Sequence, residues 1–275
     1  LRQDIEKILR YAKIHCKFQV VKIITNGLVL NEDVISRIAP YVDEIAVSFD
    51  GFSENARSWI RGKQNFKKLL SAVQMIKRAG IQPHIISTIH AKNIDDIDAC
   101  CQFSNNLDIP YHFSLFSYDE SRLTEKGLVF SDSSLAILCD KLLSAKNKEG
   151  KTFLDLVSAI RAKKTCGCGL SNLSIGYDGS IYPCHMLHDD KFSIGNLYTD
   201  FEKGEDIFLA ICDLKPCKAS VDEIDGCKEC EFRYVCGGGC RARSFFSHGD
   251  LDKKDPYCIL MKRYYGKIFK GLASQ

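Results

Sequence analysis

The chain has 275 residues, a net charge of +3, 45% hydrophobic and 27% charged residues. That is long enough for one large domain and a small one, and it is the composition of an ordinary globular protein. The charge is too small to argue for nucleic acid, and no apolar run approaches the roughly 20 residues of a membrane span.

Residues 1–14 read as an amphipathic helix already under way, so no signal peptide opens the chain and a cytoplasmic location is expected. Val20 to Thr25 is a β-branched run ending at Asn26-Gly27, a strand and a tight turn. Glu32 to Ala39 reads as a short helix stopped by Pro40, and Glu44 to Phe49 as a strand closed by Asp50-Gly51. Phe66, Leu69, Leu70, Val73 and Ile76 fall on one helical face, with Gly80 where a C-cap belongs. His84 to Ile89 is a strand. Asn93 is expected to cap a helix from Ile94 to Asn105, and Tyr111 to Phe116 is a fourth strand. Strand and helix alternate, so a parallel sheet covered by helices follows. In such α/β folds ligands bind beyond the carboxyl ends of the strands. Those ends are Thr25-Asn-Gly27, Ser48-Phe-Asp50-Gly51, Thr88-Ile-His90 and Phe116-Ser117.

Residues 118–165 read as a connector with helices around 134–145 and 153–163. A Cys-rich domain covers 166–260, and a basic amphipathic helix from Leu260 to Gly271 ends the chain, read as packing back on the body. Ten of the 14 cysteines lie between Cys166 and Cys258. Cys16, Cys100, Cys101 and Cys139 sit in helices or at their ends and read as core or surface thiols. In a cytosolic setting, clustered cysteines point to metal before disulfides. Cys227-x2-Cys230 with Cys236-x3-Cys240 would make one zinc site but would leave Cys166, Cys184 and Cys258 over. Iron–sulfur clusters take four thiolates each and accept ligands far apart in sequence. Gly237-Gly238-Gly239 would let backbone approach a bulky inorganic core. Spacing favours iron–sulfur and leaves zinc and disulfides open.

The whole pattern is Cys166-x12-Gly179-x4-Cys184, a gap, Cys227-x2-Cys230-x5-Cys236-x3-Cys240, a gap, and Cys258. It resembles the SPASM domain of radical S-adenosylmethionine (radical SAM) peptide-modifying enzymes. Thr25-Asn26-Gly27, Ser48-Phe-Asp50-Gly51 and Ile60-Arg61-Gly62 resemble runs of that family's barrel. The resemblance implies the C-terminal part of a partial (β/α)6 barrel over 1–117, a connector over 118–165, an auxiliary-cluster domain over 166–260 and a last helix over 261–275. It also implies one 4Fe–4S cluster on Cys227, Cys230, Cys236 and Cys258, and a second on Cys166, Cys184 and Cys240. For the eighth position Cys168, Cys212 and Cys217 are candidates, as is an open iron; each of the three thiols equally reads as a small buried hydrophobe.

By the same resemblance Thr25, Asn26, Ser48, Asp50 and Arg61 would contact S-adenosylmethionine. Turn chemistry is the competing role for Asp50, and a surface position that for Arg61. His185 stands where sulfatase-maturing members carry an aspartate, which argues against that activity. It is a weak candidate for proton transfer and otherwise a hydrogen-bond donor beside Cys184. His90 and His112 read as structural.

The family's Cys-x3-Cys-x2-Cys and its Gly-Gly-Glu-Pro run are not in these residues. A chain lacking its N-terminal portion is therefore expected, with a further cluster on that portion and no S-adenosylmethionine cleavage by the chain alone. The implied activity is 5′-deoxyadenosyl radical hydrogen abstraction from a peptide or protein, giving a thioether, a carbon–carbon crosslink or an oxidised residue. A flavodoxin or ferredoxin would donate electrons, with no nucleic-acid or membrane partner. Alternatives are a sulfatase-maturase-like or cofactor-biosynthesis member of the family, or a non-catalytic zinc-stabilised binding module.

Overall fold

The computed structural model describes residues 3–52, 66–117, 127–145, 162–200 and 220–274. The chain divides into two units. One comprises Leu1–Phe116 with Gly127–Ser158, the other Ser117–Lys126 with Ala159–Gln275. Residues 127–145, read above as part of the connector, thus fall in the first unit.

In the first unit, helix α1 (Ile5–Arg10) continues as a wider π turn over Tyr11–His15. Strand β1 (Lys22–Thr25) leads to α2 (Glu32–Ile38), whose Asn31 side chain accepts the Val34 N–H. The α-helix ends just before Pro40, as expected, and a 3-10 turn over Ala39–Tyr41 follows, where a proline in the first turn gives up no needed N–H. Next come β2 (Glu44–Ser48), α3 (Phe66–Arg78), β3 (Gln82–Ile89), α4 (Ile97–Leu107), β4 (Tyr111–Leu115) and α5 (Asp132–Ser144). Gly80 has φ +74°, and α3 ends in paired bonds from Gly80 N–H to Lys77 O and from Ile81 N–H to Ile76 O. Ser131 caps α5 by accepting the Ser134 N–H.

The four strands pair in parallel in the order β1-β2-β3-β4, each beside its sequence neighbour. One face of the sheet carries Ile45, Val47, Ile85, Ile89, Tyr111, Phe113 and Leu115, all buried together with Leu69, Val73 and Ile76 of α3 and Ile97 of α4. Successive strand residues alternate between faces, so His84, Ile86, Thr88, His112 and Ser114 share the opposite, half-buried face. Among the described residues helix side chains thus cover the first of these faces, in line with the helix-covered parallel sheet expected from the sequence. At the β1 edge Val20, Ile24, Leu28 and Val29 are exposed.

The described residues of the second unit form short strands and three helices. Short antiparallel strands β5 (Ser174–Ile175), β6 (Ser180–Tyr182) and β7 (Gly195–Asn196) form a three-stranded sheet. Helices α6 (Arg233–Cys236), α7 (Arg241–His248) and α8 (Cys258–Ala273) follow. Helix α8 buries Leu260, Met261, Tyr264 and Tyr265, so its apolar stripe packs inward as the sequence pattern implied. The second connector helix expected near 153–163 lies outside the described residues apart from its last positions.

Candidate functional site

At the carboxyl end of the sheet, side chains chiefly satisfy one another's backbone. Thr25 Oγ1 accepts the Gly27 N–H (3.2 Å) and Asn26 Oδ1 the Leu28 N–H (3.1 Å). These are side-chain turns, and Gly27 (φ +76°) has no room for a Cβ, which would stand 3.0 Å from Val47. Asp50 is 1% exposed and its Oδ1 accepts the Thr88 N–H at 3.0 Å. Its carboxylate thus links the ends of β2 and β3, a structural use that weighs against the cofactor-contact reading. Ser48 is buried at the end of β2 on the half-buried face. Arg61 lies outside the described residues.

Asn93 departs from its expected capping role: its side chain makes no cap bond. Instead Nδ2 donates to Asp50 O (2.8 Å) and Thr88 O (2.9 Å), and Oδ1 accepts the His90 N–H (2.8 Å). One buried amide closes three backbone groups, and a lone Asn after a strand carries no local sign of those partners. His90 is fully buried and desolvation lowers its pKa to about 4, so its imidazole is neutral. Burial lowers His84 to about 4 as well, and its ring meets that of His112 edge-on at 5.6 Å. Cys100 and Cys101 are buried thiols pushed up to about 12 by desolvation, which makes them poor nucleophiles.

The cysteines of the second unit gather in two groups. Cys227, Cys230, Cys236 and Cys258 line one small hollow, walled also by Phe232, Met261 and Tyr265. Tight turns bring them there: Cys227 N–H bonds Ile224 O, Cys230 N–H bonds Cys227 O, and Cys236 N–H bonds Phe232 O. Burial raises the pKa of Cys227 and Cys258, and that of Cys236 to about 11. A metal that binds thiolate offsets this cost of charge in an apolar wall.

Among the described residues no three Cys, His, Asp or Glu side chains converge as they would on a single metal ion. Four thiols on one zinc stand within about 4 Å of each other, given Zn–S bonds of about 2.3 Å.

The second group is Cys168 and Cys184, buried together with Leu187 and Phe192, with Cys166 and Cys240 packed against them. Gly167 O accepts the N–H groups of Leu170, Ser171 and Asn172, a tight loop that turns Cys168 inward beside Cys166. Cys184 is lowered to about 4, first by the Cys168 thiol donating to it, then by His185 and the Met186 N–H. His185 Nδ1 lies 3.8 Å from Cys184 Sγ, the neighbouring-donor position. Cys212 and Cys217 lie outside the described residues.

Gly237, Gly238 and Gly239 all have φ near +70 to +80°. A Cβ at these positions would meet Lys163 at 2.8 Å, Ile224 at 2.9 Å and Asp255 at 2.5 Å respectively. The glycines are thus required by left-handed backbone and close protein packing, a different reason from the approach to an inorganic core expected above. Buried Arg241 donates to Leu251 O (2.6 Å), Lys253 O (3.0 Å) and Gly238 O, holding this loop.

Residues 1–103 match the family described as the Radical SAM superfamily. The chain is 26% identical over 275 residues to the mycofactocin maturase MftC of Mycolicibacterium smegmatis, covering 94% of this chain and 68% of that protein. It is 24% identical over 276 residues to the PqqA peptide cyclase of Bradyrhizobium diazoefficiens, covering 94% and 70%. Its fold matches the structure of anSMEcpe with bound AdoMet at a TM-score of 0.77 and 16% identity, over 100% of this chain and 77% of that one. Among the described residues no helix is long and apolar enough to cross a membrane.

Proposed function

We propose that this chain, a member of the radical SAM superfamily through residues 1–103, is the greater part of a maturase that modifies a peptide or protein. Its relatives named as a maturase and a peptide cyclase support the substrate class. The observation that carries the reading is the gathering of eight thiols into two groups of four in the unit that follows the superfamily match.

The superfamily works with a 4Fe–4S cluster and S-adenosylmethionine, which when bound supply radical hydrogen abstraction. We assign one auxiliary cluster to Cys227, Cys230, Cys236 and Cys258. A second is assigned to Cys166, Cys184 and Cys240, with Cys168 as its fourth thiol because it packs in that group while its rivals lie elsewhere in the sequence. His185 holds the Cys184 sulfur by hydrogen bonding and is assigned no proton transfer to substrate. Ser48 and Arg61 remain the S-adenosylmethionine contacts, a hydroxyl for ribose and a guanidinium for the carboxylate. Thr25, Asn26, Asp50 and Asn93 shape the strand ends around them. The 5′-cleaving motif is not within these 275 residues, so the chain alone is expected to produce no 5′-deoxyadenosine. A flavodoxin or ferredoxin in the cytoplasm is the proposed electron donor.

The test is the iron, zinc and acid-labile sulfide content of anaerobically purified chain, with a spectrum before and after dithionite. About eight iron and eight sulfide per chain are expected, four of each per cluster. One or two zinc without sulfide would reduce the second unit to a structural module and remove the radical reading.

A further inference from the structure

A buried carboxylate links the two thiol groups. Asp255 is 4% exposed, and its Oδ2 accepts the backbone N–H of Cys240 at 2.6 Å. Its Oδ1 accepts the Tyr257 N–H at 2.9 Å, and its carbonyl accepts the Cys258 N–H at 2.9 Å. Cys240 belongs to one group and Cys258 to the other. Arg243, 6% exposed, holds the same carboxylate from the side, with Nη2 2.6 Å and Nε 3.1 Å from Oδ2. Gly239 presses on it from below, since any Cβ there would stand 2.5 Å from the Asp255 Cβ.

We propose that Asp255, clamped by Arg243, is the positioning residue that sets both thiol groups at once. This rests on the two-cluster reading. The physical reason is the number of acceptors needed. A carboxylate offers about four lone-pair sites and takes the N–H groups of Cys240 and Tyr257 and the Arg243 fork together. An amide of the same shape has one oxygen and must turn an NH2 toward one of these donors. The Asp255 carbonyl also accepts the N–H of Cys258, the first residue of α8, so a shift of its backbone moves Cys258 while a shift of its side chain moves Cys240. Partners that orient ligands in this way typically alter metal retention by about 10–100-fold when changed.

The experiment uses the anaerobically purified full chain, with iron release to a ferrous chelator followed with time. Cys230→Ala leaves the second group to be watched alone, and Cys166→Ala leaves the first. In each background Asp255→Asn is expected to speed iron release about 10–100-fold. Gly239→Ala, which displaces Asp255 without changing any charge, is expected to speed it likewise. The midpoint potential of the cluster at Cys240 should rise in Asp255→Asn, because a negative charge beside it is lost, and should stay unmoved in Gly239→Ala. Faster release from one group only, no change in either, or faster release in Asp255→Asn with an unmoved potential overturns the inference; the last is what simple loosening of the fold gives. A parent chain that holds no iron and sulfide overturns the two-cluster reading and this inference together. A parent that holds both, with Asp255→Asn indifferent, overturns this inference alone.

Discussion

The two units hold themselves together by different means. The α/β unit buries regular apolar elements: Ile45, Val47, Ile85 and Phe113 of adjacent parallel strands, against Leu69, Val73 and Ile76 of one helix face. Its polar groups at the strand ends satisfy one another through Asp50 and Asn93. The Cys-rich unit has strands of two or three residues, and its loops hang on Arg241, on the Arg243–Asp255 pair and on thiols around a hollow. Where hydrophobic periodicity is rich, packing alone defines the fold. Where it is sparse, buried charge takes over that work and, under the two-cluster proposal, so do the thiols, so metal and fold should be linked in one unit and independent in the other.

Several substitutions can break or sharpen that contrast. The largest effect is expected from Cys236→Ala, which should remove about four iron per chain and open the Cys-rich unit to proteolysis while the α/β unit resists, as read by iron analysis and limited digestion. Arg241→Met should follow. It strips donors from the buried carbonyls of Leu251 and Gly238, each about 1–3 kcal/mol, and should lower iron content with stability. Ile45→Ala, at a fully buried strand position, should cost about 2–5 kcal/mol in urea unfolding yet leave iron content unchanged. If iron falls equally in Ile45→Ala, the two units do not differ as described.

Asn93→Ala should be smaller still. It leaves the His90 N–H and the Asp50 and Thr88 carbonyls without this partner, a loss of about 1–3 kcal/mol confined to the α/β unit. The smallest effect concerns pH. His84 and His90 fall from 6.5 to about 4 on folding because burial disfavours the imidazolium. Below 6.5 the unfolded chain binds protons that the folded chain refuses. The contribution is therefore complete above 6.5 and declines as pH falls toward 4. His90→Gln should flatten the dependence of the urea midpoint across that window.

Much of this was legible residue by residue. The β-branched runs at Lys22–Thr25 and Glu44–Ser48 and the helical face from Phe66 to Ile76 show their element type locally, because strand and helix periods are properties of a few neighbouring side chains. Gly80 marks its C-cap for the same reason. The cysteine spacing resembles that of the SPASM domain, and that resemblance underlies the two-cluster proposal.

Other features needed the folded chain. Asn93 looks like a helix cap until the parallel register of β2 and β3 brings Asp50 O, 43 residues away, within reach of its amide. That register also gives the Asp50 carboxylate the Thr88 N–H as a partner. The glycine triplet looks like a cradle for a cluster until Lys163, Ile224 and Asp255 are found against it. By itself, then, the sequence determined the order of elements and the inventory of thiols, since both depend on local spacing. Only the tertiary structure decided that Cys168 packs with Cys166, Cys184 and Cys240, and which carboxylates and amides are already engaged by backbone. Those choices depend on partners far apart in the chain, brought together by burial and by the requirement that buried polar groups be paired.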